Sequence, residues 1–183
     1  LRYLLANMGP LQDQTRIQEF VTGAKTADLV ERILAHAPRI VGFGVYIWNV
    51  EETTRLVAML KRVAPAVKII LGGPEVSHET GEQEIVGLAD YVVTGWGDVT
   101  FPKLCGEILN GPKPLMKIHA GVQPPMDAIA LPYALYNDDD IANLDEVLQL
   151  GGRIEKDDWV GQAQNLIAEA SVAEVPAEEE AKA

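Results

Sequence analysis

The chain has 183 residues, of which 48% are hydrophobic, so it is long enough for one ordinary domain with a buried core and some additional chain. Its 27 acidic and 15 basic residues give a net charge of −12, and no basic stripe is present to displace counterions from a nucleic acid, which argues against such a partner. The single cysteine, Cys105, excludes an intramolecular disulfide and any iron–sulfur cluster held by several cysteines of this chain.

The acidic residues are concentrated toward the C-terminus. Residues 1–137 contain 14 acidic and 12 basic side chains, whereas residues 138–183 contain 13 and three. No run of about 18 apolar residues and no basic-then-apolar leader occurs, so we expect no membrane span, no export and a cytoplasmic location. The chain begins at Leu1 inside a helical pattern, and we therefore expect a fragment or a processed product.

The first half of the chain alternates helical patterns with short apolar runs. An apolar stripe over Leu1–Met8 predicts a helix, and Thr15–Val21 predicts a short strand. Thr26 can cap a second helix, which Pro38 ends. Ile40–Ile47 is almost continuously apolar and contains β-branched residues, which is typical of a strand buried on both faces.

The alternation continues with three helices and two strands. They are a helix that begins with the capping-box-like pair Asn49 and Glu52 and ends at Pro65, a strand at Lys68–Leu71, a helix at about Gly81–Leu88, a strand at Tyr91–Thr94 and a helix at Phe101–Leu109. Short connections between strands and helices predict an α/β fold with a flavodoxin-like, doubly wound parallel sheet. Because the pattern opens on a helix, we expect the first strand to be missing, or a smaller sheet with an exposed edge.

Composition divides the chain into three regions. Residues 1–110 form the α/β domain, and residues 111–143 form a Pro-rich linker or strap with at most a short strand at Met116–Ala120. Residues 144–183 form an acidic tail with weak helical periodicity over 144–170, and we expect disorder in its last dozen residues.

Three glycine-containing loops, at residues 44–49, 72–77 and 95–98, follow the predicted strands and form the candidate ligand site. Glycine lets a ligand approach the backbone closely, and the helix N-termini that follow offer free N–H groups. The candidate binding residues are Gly44, Val45, Tyr46, Trp48, Asn49, Gly72, Gly73, Pro74, Glu75, Val76, Gly95, Trp96 and Gly97. Such turns also use glycine for geometry alone, and aromatic residues at strand ends often pack in a core. The combination of both features in these loops favours a site for a large, partly apolar ligand with phosphate or amide groups.

Several common sites are excluded by residue type. The chain has no P-loop, no complete dinucleotide fingerprint and no aspartate at the end of the Ile40–Ile47 strand for a phospho-receiver. His36, His78 and His119 lack metal-ligand spacing, and Cys105 lies on the apolar stripe of a helix, where we expect it to pack as a small hydrophobic residue.

Four segments carry a resemblance to a known family. They are Ile40-Val-Gly-Phe-Gly-Val-Tyr-Ile-Trp-Asn49, Leu71-Gly-Gly-Pro-Glu-Val-Ser77, Ala89-Asp-Tyr-Val-Val-Thr-Gly-Trp-Gly-Asp-Val-Thr-Phe101 and Leu131-Pro-Tyr133. Together, over about residues 1–137, the chain resembles the N-terminal cobalamin-binding domain of B12-binding radical SAM proteins. The resemblance implies cobalamin as cofactor, with the corrin over the carboxyl ends of the strands. It also implies a radical SAM domain or another protein as partner, and places the nucleotide tail between the first loop and Gly72-Gly73.

The sequence departs from that family at several points. Gly44 stands where many relatives carry serine, and Trp96 stands where relatives usually carry glutamate. The Asp-x-His-x-x-Gly motif that supplies an axial histidine is absent, as are the three clustered cysteines of a radical SAM site. We therefore expect a cobalamin-binding module without catalytic machinery of its own. The alternatives are a degenerate α/β protein-interaction domain that binds no cofactor, and a domain that binds another nucleotide-like ligand in the same crevice.

Overall fold

The computed structural model describes residues 1–136 and the backbone of a strand at residues 172–176. The helices are α1 (Arg2–Ala6), α2 (Thr26–Leu34), α3 (Val50–Val63), α4 (Glu84–Leu88) and α5 (Thr100–Asn110). The strands are β1 (Arg16–Gln18), β2 (Pro38–Gly44), β3 (Lys68–Gly72), β4 (Tyr91–Gly95), β5 (Ile118–Gly121) and β6 (Val172–Pro176). Short 3₁₀ turns lie at Gly9–Gln14, Met126–Ala128 and Tyr133–Leu135.

The strands form one sheet in the order β1-β6-β2-β3-β4-β5, in which β2, β3, β4 and β5 run parallel to one another. The register places Gly44 opposite Gly72 and Gly95 opposite Gly121, so glycines end all four parallel strands at one edge of the sheet. This arrangement confirms the predicted parallel α/β sheet. Its carboxyl edge is where an open parallel sheet binds ligands.

Hydrophobic cores cover both faces of the sheet, as the doubly wound fold requires. Val41 and Ile69 point to one face and pack with the apolar residues of α2, α3 and α4. Their neighbours Ile40 and Ile70 point to the other face and pack with α1 and α5. Successive side chains of a strand alternate between faces, and burying one such residue contributes about 1.5–3 kcal/mol. Apolar residues at consecutive positions are therefore what a strand covered on both sides needs.

Strand β6 is the main difference from the expected fold. It lies between β1 and β2 and runs antiparallel to both, with Pro176 opposite Pro38 and Glu174 opposite Arg16. Disorder was expected for the last dozen residues, but residues 172–176 form this strand. Its backbone groups pair with the edge of β2, where unpaired N–H and C=O groups in a buried position would be costly. The position beside β2 that we expected to be empty is thus filled from the C-terminal region.

The Pro-rich region contributes the short strand expected near residues 116–120, as β5, and then contacts α1. The side chain of Asn7 donates to the carbonyl of Ala130 at 3.1 Å and accepts from its N–H at 2.9 Å. The guanidinium of Arg2 lies 4.8 Å from the centre of the Tyr136 ring. The remainder of the linker and the predicted helical periodicity over 144–170 lie outside the described residues.

Two helices are shorter than expected. The predicted helix over Leu1–Met8 is observed as α1, followed by the 3₁₀ turn at Gly9–Gln14, and the helix expected from Gly81 begins only at Glu84. Within residues 1–136 and 172–176, no helix combines the length and the apolar character that a membrane span requires.

Candidate functional site

The loops after β2 and β3 are joined by backbone contacts. The N–H of Val45 donates to the carbonyl of Gly72 at 2.7 Å, and the N–H of Glu75 donates to the carbonyl of Val45 at 3.3 Å. Gly73 lies against this junction with φ +110°, where a Cβ atom would be 2.8 Å from the nitrogen of Val45 and still closer to its carbonyl oxygen. Glycine is therefore required at position 73 for the two loops to meet, whether or not a ligand is bound.

The loops after β3 and β4 are joined through a hydroxyl group. Ser77 Oγ donates to the carbonyl of Gly73 at 2.8 Å and accepts from the N–H of Gly95 at 3.1 Å. The end of β5 approaches from the other side, and a Cβ atom on Gly121 would lie 2.7 Å from the nitrogen of Trp96. All three candidate loops thus converge at one rim. Ser77 and Gly121 are residues of this junction that were absent from the predicted site.

Asn49 shapes the first loop from beneath. Its side chain is fully buried, and its Oδ1 accepts from the N–H of Tyr46 at 2.8 Å while its Nδ2 donates to the carbonyl of Gly44 at 3.1 Å. The predicted capping box is wrong, because α3 begins without a side-chain capping bond and Glu52 instead accepts from the N–H of Gly23 at 3.0 Å. Asn49 therefore holds the conformation of the first loop.

A cavity of about 230 Å³ opens between the three loops. Six of the predicted site residues line it: Gly44, Tyr46, Gly72, Gly73, Gly95 and Gly97. The glycines expose backbone rather than side chains along the cavity wall. At Gly44, an added Cβ atom would be 3.6 Å from Tyr46 Cε2 and 3.8 Å from Leu1 Cδ2, so this position has room for a small side chain.

The other predicted site residues lie outside this cavity. Val45 and Val76 are fully buried in the core, as is Asn49, whereas Pro74 and Glu75 belong to the second loop. Trp48 is 46% exposed and stacks on Tyr46, with ring centres 4.7 Å apart and an angle of 12° between the planes. Trp96 is 43% exposed. Neither indole is among the residues that line the cavity.

Several lining residues were not predicted. Leu4 of α1 and Leu1, which precedes that helix, reach the cavity from one side. Asp98 of the third loop and Phe101 of α5 also line it. The apolar periodicity of Leu1, Leu4 and Phe101 predicts core packing, and Leu4 and Phe101 do pack in the core as well. The apolar periodicity of a helix does not distinguish residues that face the core from residues that line a cavity at the end of that core. Asp98 adds one carboxylate to a lining that is mostly apolar side chains and glycine backbone.

The described residues contain no cluster of three or more histidine, cysteine or acidic side chains that could hold a metal ion. His119 Nε2 lies 2.9 Å from the carbonyl of Met116. Cys105 lies on the buried face of α5, and burial raises the pKa of its thiol to about 12. Its prediction as a small packing residue is confirmed, and such a thiol is not nucleophilic at neutral pH.

The family model described as the B12 binding domain matches residues 11–105, slightly more than half of the chain. No curated protein matches the chain. Among solved structures, it is similar to the N-terminal domain of a hypothetical protein from Thermotoga maritima, with 22% identity, a TM-score of 0.38, and coverage of 56% of this chain and 76% of that chain.

The matched range begins before β1 and ends within α5, so it contains all three loops that converge on the cavity. The chain therefore belongs to the B12-binding domain family and is a cobalamin-binding module.

Proposed function

We propose that cobalamin binds at the carboxyl edge of the sheet, with its corrin across the three loops and its nucleotide tail in the cavity. The observation that carries this proposal is the convergence of the glycine loops on one largely apolar cavity with an open mouth. A flat ring can approach backbone closely where no Cβ intervenes.

The residues present fit such a ligand. A cavity of about 230 Å³ is smaller than the roughly 300–1,000 Å³ that encloses a drug-sized ligand, so only part of a cobalamin can enter. The lining of Leu4, Ile70 and Phe101 suits an aromatic base, and the glycine edges leave the mouth unobstructed. The larger corrin then remains outside, where Tyr46, Trp48 and Trp96 offer exposed aromatic surface at the rim.

The residues of this chain would hold and orient the cofactor. Val45 and Ser77 fix the three loops relative to one another, and Asn49 fixes the first loop. Tyr46 both lines the cavity and stacks on Trp48, so it connects the tail pocket to the rim. These contacts preorganise the site, which lowers the entropic cost of binding.

We further propose that this module serves a radical SAM domain as a cobalamin carrier. Bound cobalamin supplies methyl-group or radical chemistry, and the resemblance of residues 40–49, 71–77 and 89–101 to the B12-binding radical SAM proteins supports this setting. The catalytic domain would be supplied outside the residues described for this chain.

The test is direct. The purified chain is mixed with hydroxocobalamin, separated by gel filtration and examined by its visible spectrum. We expect corrin absorbance to co-elute with the protein. Gly44→Val should remove binding, because the added side chain enters the cavity mouth between Tyr46 and Leu1. Gly106→Val is the matched control, because Gly106 has no atom within 4 Å of an added Cβ.

A second candidate is a protein-interaction module that binds no cofactor. It is favoured by large exposed apolar side chains in the Pro-rich region, including Leu115, Val122, Met126 and Tyr133. Exposed apolar side chains of this size can supply the buried core of a partner interface. Absence of co-eluting corrin in the experiment above would support this alternative over the cobalamin proposal.

A further inference from the structure

The backbone carbonyls at the rim of the cavity are used mainly to join the loops to one another. The carbonyls of Gly44, Gly72 and Gly73 each accept a hydrogen bond from within the loops, at 3.1, 2.7 and 2.8 Å. The carbonyl of Gly97 accepts from the N–H of Phe101 at 2.8 Å. These glycine carbonyls therefore have less capacity to accept hydrogen bonds from a ligand.

The carboxylate of Asp98 lines the same cavity and is not used in this way. Within residues 1–136, Asp98 forms no hydrogen bond or ion pair with another residue. Helix α5 begins at Thr100 without a side-chain capping bond, so Asp98 does not cap it. The residue is half-buried beside apolar walls, where a carboxylate without a donor is costly. The cavity therefore presents an acceptor that a ligand can satisfy.

Asp98 lies nearer the mouth of the cavity than the apolar part of its lining. Helix α5 follows β4, which ends at Gly95, so the helix starts at the carboxyl edge of the sheet and leads away from it. Phe101 comes three residues after Asp98, about one helical turn, and packs in the core with Leu4 and Ile70. The cavity is thus apolar at its inner end and acidic toward its mouth.

We infer that Asp98 recognises a ribose hydroxyl of the cobalamin nucleotide tail, an inference that rests on the function proposed above. With the aromatic base against Phe101, Leu4 and Ile70, the ribose attached to it comes next toward the mouth, where Asp98 lies. The dimethylbenzimidazole base of cobalamin has no N–H to donate, and a phosphate would be repelled by the carboxylate. The ribose hydroxyls are therefore the donors that the tail offers. A carboxylate also binds a ribose hydroxyl in dinucleotide-binding α/β folds.

The test compares hydroxocobalamin with hydroxocobinamide, a corrinoid that lacks the nucleotide tail, by titration of the full-length chain. Asp98→Ala should raise the Kd for hydroxocobalamin about tenfold and leave the Kd for hydroxocobinamide within about twofold of wild type. Asp98→Asn retains one acceptor oxygen, so its loss should be smaller than that of the alanine variant. Asp13→Ala is the matched control, because Asp13 is exposed and does not line the cavity, and both of its Kd values should stay within about twofold of wild type.

Hydroxocobinamide binding also shows whether each variant is folded. An equal loss of both corrinoids in Asp98→Ala would overturn the inference, because Asp98 would then act on the corrin or on the loop itself. An unchanged Kd for hydroxocobalamin would overturn it too, as would tighter binding by Asp98→Asn, which would place the phosphate beside the carboxylate. If wild type bound the two corrinoids equally well, the tail would not be recognised, although corrin binding would stand. If wild type bound neither corrinoid, the proposed function would fail and this inference with it.

Discussion

The N–H of Val45 and the carbonyl of Gly72 form a 2.7 Å hydrogen bond that joins the loops after two neighbouring parallel strands. Gly73 lies directly against that bond with a backbone conformation that other residues rarely adopt. Some glycines of this site are thus required for folding, whereas others keep the cavity open. The two roles can be separated by mutation.

Gly73→Val should destabilise the fold. The position has φ +110°, and an added Cβ atom would collide with the backbone of Val45. Strain and overpacking together predict a loss of about 2–4 kcal/mol in the free energy of unfolding, measured in urea. Gly44→Ala serves as the control, since an added Cβ there meets its neighbours at ordinary distances, and its stability should stay within about 1 kcal/mol of wild type. Equal stability of the two variants would contradict this view of the loop junction.

Gly44→Ser should strengthen cobalamin binding. An added Cβ atom at this position fits beside Tyr46 and Leu1, and its hydroxyl would face the cavity where the resemblance places the nucleotide tail. One additional hydrogen bond contributes about 0.5–1.5 kcal/mol, which corresponds to a decrease in Kd of roughly twofold to tenfold. Titration with hydroxocobalamin measures the change. Gly44→Ala supplies the Cβ without the hydroxyl, and an equal gain for alanine would show that the hydroxyl makes no bond.

Asn49→Ala should weaken both the fold and the site. Removal of the amide leaves the N–H of Tyr46 and the carbonyl of Gly44 without the partners that Asn49 provides at 2.8 and 3.1 Å. These groups are only partly buried, so the loss of their partners should cost about 1 kcal/mol in the free energy of unfolding, the lower end of the range for an unsatisfied buried group. Asn49→Asp retains the acceptor for Tyr46 but places a charge at a fully buried position, so we expect at least as large a loss. Wild-type stability in both variants would be inconsistent with a loop-forming role.

Acid should destabilise the protein through Asp90. Its pKa is below the ordinary value in the folded state because its hydrogen bonds to Lys61, Ile69 and Lys68 outweigh the cost of burial. A carboxylate whose folded pKa is depressed stabilises the fold above its unfolded pKa of about 4, and this contribution is lost as pH falls through the folded pKa. As the pH is lowered from about 5, the free energy of unfolding of wild type should therefore fall by more than that of Asp90→Asn. Parallel pH profiles of the two proteins would contradict this expectation.

The parallel sheet was predictable because each of its strands has a local signature. The run at Ile40–Ile47 and the run at Lys68–Leu71 supply apolar residues to both faces, and only a strand covered on both sides needs that pattern. Connectivity then decides where the three loops meet, since parallel strands joined through helices end at one edge. The convergence of the loops at residues 44–49, 72–77 and 95–98 therefore followed from the order of the elements.

Other features depended on contacts between distant parts of the chain. Residues 172–176 have little intrinsic preference for a strand, and they become one because the open edge of β2 provides backbone partners. Gly121 matters only because β5 passes against Trp96, and Leu1 lines the cavity only because α1 packs over its end. The position of Asn49 before α3 predicts a helix cap, but the same side chain can bond to the preceding loop instead, and local sequence does not distinguish the two.

The sequence alone determined the alternation of elements, the double-sided burial of the strands and the clustering of glycines at one edge. These features follow from local composition and from the order of the elements along the chain. Tertiary structure decided which glycines separate backbone from backbone and which leave a space for a ligand. That distinction depends on which atoms lie opposite each Cα atom. Glycine is the residue at both kinds of position, so the sequence does not tell them apart.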